Sequence, residues 1–374
     1  MVAPGLRELQ TSGVVHRVRT PVGDPAWLVT GHAEVLRLLD DDRLGLAHPE
    51  PDTAPRMSES ALFGGPARNF ATEHADHARK RALLQPHFTP NRLRALRPEV
   101  DRLTAQLLDE LSTKGPPADL HAAVALPLPV LVICELLGVP YEDRDRYCSW
   151  TADAVNTHDR TRSESGLDGL LAYCRQLVAM KRRDPQDDLI SRLCATEGTS
   201  DDEIASLSRV LLWAGYETTV VQIGLGALML LANPEQWRAL VDDPALVSRA
   251  VEETLRAKPR SAMPRYARTD LEIGGCTVMA GELVLLSLAA GNHDPSVFVD
   301  PHRFDIGRQA VGHLSFGHGS RYCIGAPLAR IELGAVFSQL ASRFPRMRLA
   351  TGLQELTFRH GTLFGGLTEL RVQW

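Results

Sequence analysis

The chain has 374 residues, 44% hydrophobic and 23% charged, an ordinary globular composition whose length leaves one large domain or two open. Its formal net charge of −5, with no long basic tract, excludes a general attraction to nucleic acid. Six scattered cysteines (Cys134, Cys148, Cys174, Cys194, Cys276 and Cys323) include no CxxC pair, which excludes a disulfide framework or a zinc site and suits a reducing cytoplasm.

Met1-Val2-Ala3-Pro4-Gly5 carries no signal-peptide or anchor pattern. The first sixty residues read as β-rich with one short helix. Trp27 to Thr30 has strand character, and Ala33 to Leu39 reads as a helix that stops at Asp40-Asp41-Asp42. Residues 44–68 hold several Pro and Gly and no sustained period, which predicts a long loop, and long loops in compact domains are usually functional or mobile. Glu73 to Arg81 then places His77 and Arg81 four apart on one helical face. That cluster is either a solvated basic face or a grip on an anionic ligand. From Asn91 to Arg192 the pattern is helical, with breaks at Gly115-Pro116-Pro117, Pro140 and Asp184-Pro185. The most apolar run, Val124 to Pro140, is interrupted by Pro127, Pro129 and Glu135, so it reads as buried core and not as a membrane span.

Ser200-Asp201-Asp202-Glu203 has the pattern of a capping box, with Ser200 as N-cap and Glu203 reaching back. Apolar residues continue to Leu231-Ala232, where Asn233-Pro234 ends a helix that is apolar nearly all round and so belongs in a core. In its middle stand Ala214-Gly215-Tyr216-Glu217-Thr218-Thr219. A buried acid and two alcohols need partners. A threonine hydroxyl can bond back to the preceding turn and open a groove, which Gly215 leaves unfilled; the alternative is a kink satisfied internally. On a later helix Glu253 and Arg256 lie three apart and can form a charge-assisted pair. Leu271-Ile273 and Thr277-Met279 alternate like strands around a Gly274-Gly275 turn.

The run Phe316-Gly317-His318-Gly319-Ser320-Arg321-Tyr322-Cys323-Ile324-Gly325 reads as a glycine-punctuated loop that delivers one cysteine to the start of a helix. Pro327 suits a first helical turn, and Leu328, Ile331, Leu333, Val336, Phe337 and Leu340 keep helical spacing. Cys323 thus sits where unpaired N–H groups and the positive end of a helix dipole converge, a setting that favours the metal-binding thiolate. The bland alternative is a buried, inert cysteine. The tail after Phe344 reads as short strands.

Residues 316–326, F-G-H-G-S-R-Y-C-I-G-A, resemble the haem-binding signature of the cytochromes P-450, of the short soluble bacterial type. Three further segments match that family in order: the H-x-x-x-R helix at His77 and Arg81, the A-G-x-[DE]-T-T motif at Ala214 to Thr219, and E-x-x-R at Glu253 to Arg256. The resemblance spans essentially the whole chain. It implies a mainly α fold with a small β-rich lobe, one domain over residues 1–374, with about 1–60 plus parts of 260–310 and 345–374 forming the lobe. Haem b is implied between the central helix and the cysteine-loop helix. Cys323 is the implied iron ligand, within Phe316, Gly317 and Gly325. His77, Arg81, Arg265, His318 and Arg321 are implied to hold the haem propionates, with Ala214 and Gly215 facing the cofactor from the central helix. Thr218 is implied as a hydrogen-bond donor to dioxygen and Glu217 as a relay of protons through water, while Thr219 is structural. Glu253 and Arg256, with Arg303 in Pro301-His302-Arg303-Phe304, are the implied lock around the cysteine loop. In this family the loop at 44–68 covers the substrate, which offers Met57, Leu62 and Phe63 as pocket lining or as simple surface closure; Ser261, Ala262, Met263, Leu363 and Phe364 are further pocket candidates. Asn292-His293-Asp294 departs from the usual N-R-D, and Arg321 stands where many bacterial members carry His.

The reaction implied is reductive activation of dioxygen and insertion of one oxygen atom into an apolar small molecule, by hydroxylation or epoxidation, with thiolate donation favouring O–O cleavage. A secondary metabolite such as a polyketide or macrolide is the expected substrate. No reductase or ferredoxin segment is fused to these residues, so electrons from NAD(P)H are expected through a separate ferredoxin and ferredoxin reductase. Arg79, Lys80, Arg92 and Arg94 offer a positive docking face. A cytoplasmic monomer without membrane or nucleic-acid partners is expected. Two rival readings are a peroxide-driven or oxidative-coupling enzyme of the same fold and a non-catalytic haem-binding sensor. The Glu217-Thr218 pair weighs against both, since neither peroxide chemistry nor a sensor needs it.

Overall fold

Hydrophobic alternation in the first thirty residues folds into a hairpin, Val15–Arg19 antiparallel to Pro25–Val29 with Val15 opposite Val29. A helix absent from the sequence reading, Pro4–Ser12, precedes it. In this computed structural model, which describes residues 4–258 and 262–374, strands from far downstream extend the hairpin. Leu283–Ser287 runs parallel to Pro25–Val29, and Ala262–Ala267 pairs antiparallel with Leu283–Ser287. Leu44–Gly45 closes the edge against Ala267 and Tyr266. One face of this sheet buries Val29, Leu44, Val284 and Leu286 against Val35, Leu38 and Leu39 of the helix His32–Leu39.

The tail does not join this lobe, contrary to expectation. Arg371–Gln373 pairs with Ala118–Asp119 on one side and Arg348–Leu349 on the other. Asp119 fixes the junction, because its Oδ1 accepts the Leu370 and His121 N–H groups at 2.8 and 2.9 Å.

The remaining mass is helical. Pro127–Leu137, Arg160–Arg183, Val247–Arg256 and Ala326–Arg343 pack around the 31-residue helix Asp201–Leu231. The apolar run at 124–140 becomes the buried helix Pro127–Leu137, with its proline in the first turn. Breaks fall where Pro and Gly predict them, with one more at residues 155–159, between Arg144–Ala154 and Arg160–Arg183. The central helix is apolar all round because it has neighbours on every side. It is long and apolar enough to cross a membrane, but 72% of its apolar window is buried inside the protein.

Its start corrects one expectation. Ser200 Oγ accepts the Glu203 N–H at 3.2 Å, but the Glu203 carboxylate accepts from Arg79 at 2.8 Å instead of turning back. Half of the capping box forms, because an ion pair was within reach of the other half.

Candidate active site

Gly317 and Gly319 adopt φ of +73° and +65°, which L side chains rarely adopt. The second turn brings the loop against the end of helix His32–Leu39, where the Asp40 carboxylate accepts the Ser320 N–H at 2.9 Å and fills the space a Cβ at 319 would need. Cys323 N–H donates to the Phe316 carbonyl at 2.8 Å, closing the loop, and helix Ala326–Arg343 follows with Pro327 in its first turn. The Cys323 side chain lies deep in the protein yet is accessible, so it faces an internal cleft. Burial pushes its thiol up; the N–H groups of Gly325 and Ala326 and the charges of Arg81 and Arg330 pull it down without prevailing. Contrary to the sequence expectation, the helix start by itself does not hold a thiolate; a bound metal cation would.

A second patch gathers cations. His77, on helix Glu73–Leu84, is held down to about 4 by burial and by Arg321, Arg68 and Arg81. Arg265 is 2% exposed, burial and Arg321 lower it to about 10, and its one hydrogen bond among the described residues goes to the carbonyl of Pro264, at 2.9 Å. Arg321 donates to Glu73 at 2.8 Å, and the same carboxylate accepts the Leu46 and Ala47 N–H groups at 2.7 and 3.0 Å. Arg68 was missed, because it stands in a loop with no pattern to mark it. The Glu73 carboxylate is thus taken by Arg321 and by Arg268, 3.6 Å away, while buried Arg265 has no carboxylate partner among the described residues; that buried cation beside a neutral histidine calls for an anionic ligand. Arg81 stands at the rim and donates to the Tyr322 carbonyl at 2.6 Å, tying its helix to the cysteine loop. His318 departs from expectation: it is exposed and lines a groove with His32, Glu252 and Arg330, turned outward by the left-handed glycines on either side. His74 faces Asp42 at 3.9 Å.

On the central helix every residue from Leu211 to Ala227 is buried except Ala214, Gly215 and Thr218. Spacings of one and four put these three on one face, so the helix opens to a cleft there. Thr218 Oγ donates to the Ala214 carbonyl at 2.7 Å, the back-bond expected of a mid-helix threonine. Gly215 has a different reason to be glycine than the groove proposed for it. A Cβ at this position would lie 2.7 Å from Ile133 Cδ1, so close packing of Pro127–Leu137 demands it. Glu217 is 1% exposed and its carboxylate accepts from Arg359, whose Nη2 and Nε also donate to the Gly365 carbonyl at 2.8 and 3.1 Å. Arg359 was missed; it stands in the tail, far from any motif.

The lock around the cysteine loop forms with one change of member. Buried Arg256 donates to both Glu253 oxygens at 2.7 and 2.8 Å and to the carbonyls of Asn292 and Pro301 at 2.8 and 2.9 Å. The third member is Arg308, with Nε 3.3 Å from Glu253 Oε2. Arg303 offers only its backbone carbonyl, 3.5 Å from Arg256, while its side chain is exposed. Arg308 prevails because it also donates to the Asp300 and Arg303 carbonyls at 3.0 and 3.1 Å, which draws it across the turn.

Among the pocket candidates, Phe63 and Phe364 meet on Trp213, with ring centroids 5.7 and 6.3 Å from it. Trp213 precedes Ala214, and the sequence reading passed over it as one apolar residue among many. Leu62 packs beside this group on the main core. Met57 packs instead with Tyr266 and Leu285 in the β lobe, and Met263 with Val29 and Leu286. Ala262 is exposed, Leu363 is fixed by its N–H to the Val155 carbonyl at 3.0 Å, and Ser261 lies outside the described residues. Of the basic face, Arg79 is engaged with Glu203, while Arg92 and Arg94 are exposed on the short helix Pro90–Ala95 and Lys80 is half-buried.

Comparison with known proteins agrees over the whole length. The family described as cytochrome P450 matches residues 153–348. Pentalenolactone synthase of Streptomyces exfoliatus is 40% identical, over 99% of this chain and 96% of the relative. Mycinamicin IV hydroxylase/epoxidase of Micromonospora griseorubida is 39% identical, over 98% of this chain and 94% of the relative. The substrate-free structure of PimD, an epoxidase of the polyene macrolide antibiotic pimaricin, superposes with a TM-score of 0.91 at 39% identity, covering all of this chain and 96% of the other.

Proposed function

The chain belongs to the cytochrome P450 family, and from that membership we propose a haem-thiolate monooxygenase that inserts one oxygen atom of O2 into an apolar secondary metabolite of polyketide or macrolide type. The observation that carries this reading is the buried Arg265, which has no carboxylate partner among the described residues, with Arg321 and Arg68 near it, together with a cysteine accessible from a cleft. These residues fit haem. Its two propionates would neutralise the arginines, and Cys323 Sγ, with the Gly325 and Ala326 N–H groups directed at it, would ligate the iron. When bound, haem supplies the reductive activation of dioxygen.

The chain's own residues handle protons and position. The proton on Thr218 Oγ rests against the Ala214 carbonyl, and rotation about its Cα–Cβ bond turns it toward the open face at the cost of one back-bond. Glu217 is oriented by Arg359 and gains freedom to exchange a proton with water only when it leaves that partner. Phe63, Trp213 and Phe364 give apolar ring surface beside the open face, suited to a large apolar substrate. The polyene macrolide antibiotic named for PimD supports that substrate class. Electrons come from a ferredoxin and its NAD(P)H-dependent reductase in the cytoplasm, docked through Lys80, Arg92 and Arg94 on a monomer.

Turnover of a macrolide panel with ferredoxin, reductase and NADPH under isotopically heavy dioxygen tests this. One labelled atom per product is expected, and R92E/R94E slows turnover more at low salt than at high salt. Turnover by hydrogen peroxide alone, with none through any ferredoxin, would favour the peroxide-driven reading.

A further inference from the structure

The outer face of the cysteine loop carries a mixed-charge cluster that none of these roles uses. Glu252 immediately precedes the buried Glu253 and accepts both arms of one guanidinium. Arg330 Nε lies 2.7 Å from Oε1 and Nη2 lies 2.9 Å from Oε2. His313 Nε2 meets the same Oε2 at 3.0 Å, while its Nδ1 accepts the Ser315 N–H at 3.2 Å. That second bond fixes the tautomer, so Nε2 carries a proton and donates to Glu252. Burial pushes the Glu252 carboxyl up, but the His313 and Arg330 hydrogen bonds outweigh it and hold it down to about 2.

All of this converges on one ring. The Arg330 guanidinium carbon lies 4.6 Å from the Phe316 centroid, and Arg330 Nη1 donates to Tyr322 Oη at 3.3 Å. The His313 and Tyr322 rings flank Phe316 at 5.9 and 6.2 Å. The Phe316 carbonyl in turn accepts the Cys323 N–H. A lone surface ion pair contributes little, and Glu252 and Arg330 are each about a third exposed. This pair differs in being a two-bond fork, joined to a histidine and stacked over an aromatic face, an arrangement whose value lies in fixing geometry.

We propose that Glu252 is a positioning residue for the cysteine ligand, acting through Arg330 and His313 on Phe316; the proposal rests on the haem-thiolate reading. It differs from the Glu253–Arg256 lock, whose hydrogen bonds go to residues 292, 301, 303, 305 and 308. Arg330 holds the ring and Glu252 holds Arg330, so without the carboxylate the Phe316–Cys323 bridge gains freedom and the sulfur loses its fixed direction.

E252Q, which keeps the shape and removes the charge, tests this in the haem-loaded protein. Its reduced carbon monoxide complex should lose the thiolate-type Soret band about tenfold faster than wild type in mild urea, as expected for loss of one charge-assisted contact. The haem reduction potential should shift as well. E252D, with its charge on a shorter arm, should fall between. R343A, which breaks an exposed pair with Asp109 at the far end of the same helix, is the control and should keep the wild-type rate. A wild-type rate and potential in E252Q would overturn the proposal, as would equal acceleration by R343A. If E252Q does not fold, E252D against wild type decides by the same criteria. A wild type lacking the thiolate-type band would instead overturn the haem-thiolate reading beneath the proposal.

Discussion

Glu217 is a buried carboxylate whose partner, Arg359, stands 142 positions away in the chain. Charge burial of that kind is tolerated only with a partner, so removing the arginine leaves a buried carboxylate without its donor. Arg359→Ala should therefore lower both thermal stability and the product formed per dioxygen consumed. Thr218→Ala loses one back-bond at an accessible position and should keep its stability. It should nonetheless lower product per dioxygen by about tenfold or more, the scale of a lost proton donor. Dioxygen and NADPH consumption measured beside product, with melting curves, separates the two. Unchanged coupling in Thr218→Ala would remove it from proton handling. At this scale the sequence marked the residues that lie inside contiguous motifs, such as His77 and Thr218. Arg68 beside His77, Arg359 on Glu217 and Trp213 between Phe63 and Phe364 were not legible, because a single sequence holds no signal for contact between distant positions.

Between elements, the same limit appears as a change of partner. The sequence offered Arg303 to Glu253 by motif position, but the turn at 300–308 exposes Arg303 and brings Arg308 inward. Position in a motif specifies which residue type is available; the path of the backbone decides which copy arrives. Arg308→Ala should cost about 1–3 kcal/mol, since a buried carboxylate and three carbonyls lose a donor. Arg303→Ala, an exposed side chain, should cost less than about 0.5 kcal/mol. Urea unfolding of both variants checks the order, and a reversed order would restore Arg303 to the lock. The tail strands went astray for a related reason. Their alternation was readable, but nothing local said that Asp119 would cap the junction and draw Arg371–Gln373 to the helical body. The capping box at Ser200 failed by half because Arg79, over a hundred positions upstream, competed for Glu203.

For the whole molecule, the cation cluster makes stability depend on pH and on the cofactor together. His77 takes up its proton near 6.5 in the unfolded chain and only near 4 in the folded one. Between those values the unfolded state binds more protons, so stability rises with pH across this window and falls as pH drops from 6.5 toward 4. Propionates bound beside His77 would raise its folded value and flatten that dependence. Melting temperatures of the haem-free and haem-loaded proteins between about pH 5 and pH 7 should show the steeper loss without haem. Equal slopes would mean that no anion binds beside His77. The helical architecture itself was legible, because long periodic segments and Pro or Gly breaks are local signals. The cleft was not, since accessibility at Ala214, Gly215, Thr218 and Cys323 exists only once the helices around them are packed.

The most direct measurement is the absorption spectrum of the reduced, carbon monoxide-treated protein, for wild type and Cys323→Ala. The wild type should show a Soret band at the far-red position of a trans thiolate, and the variant should lose it. An imidazole-type band in wild type, or a thiolate-type band that survives in Cys323→Ala, would contradict Cys323 as the iron ligand.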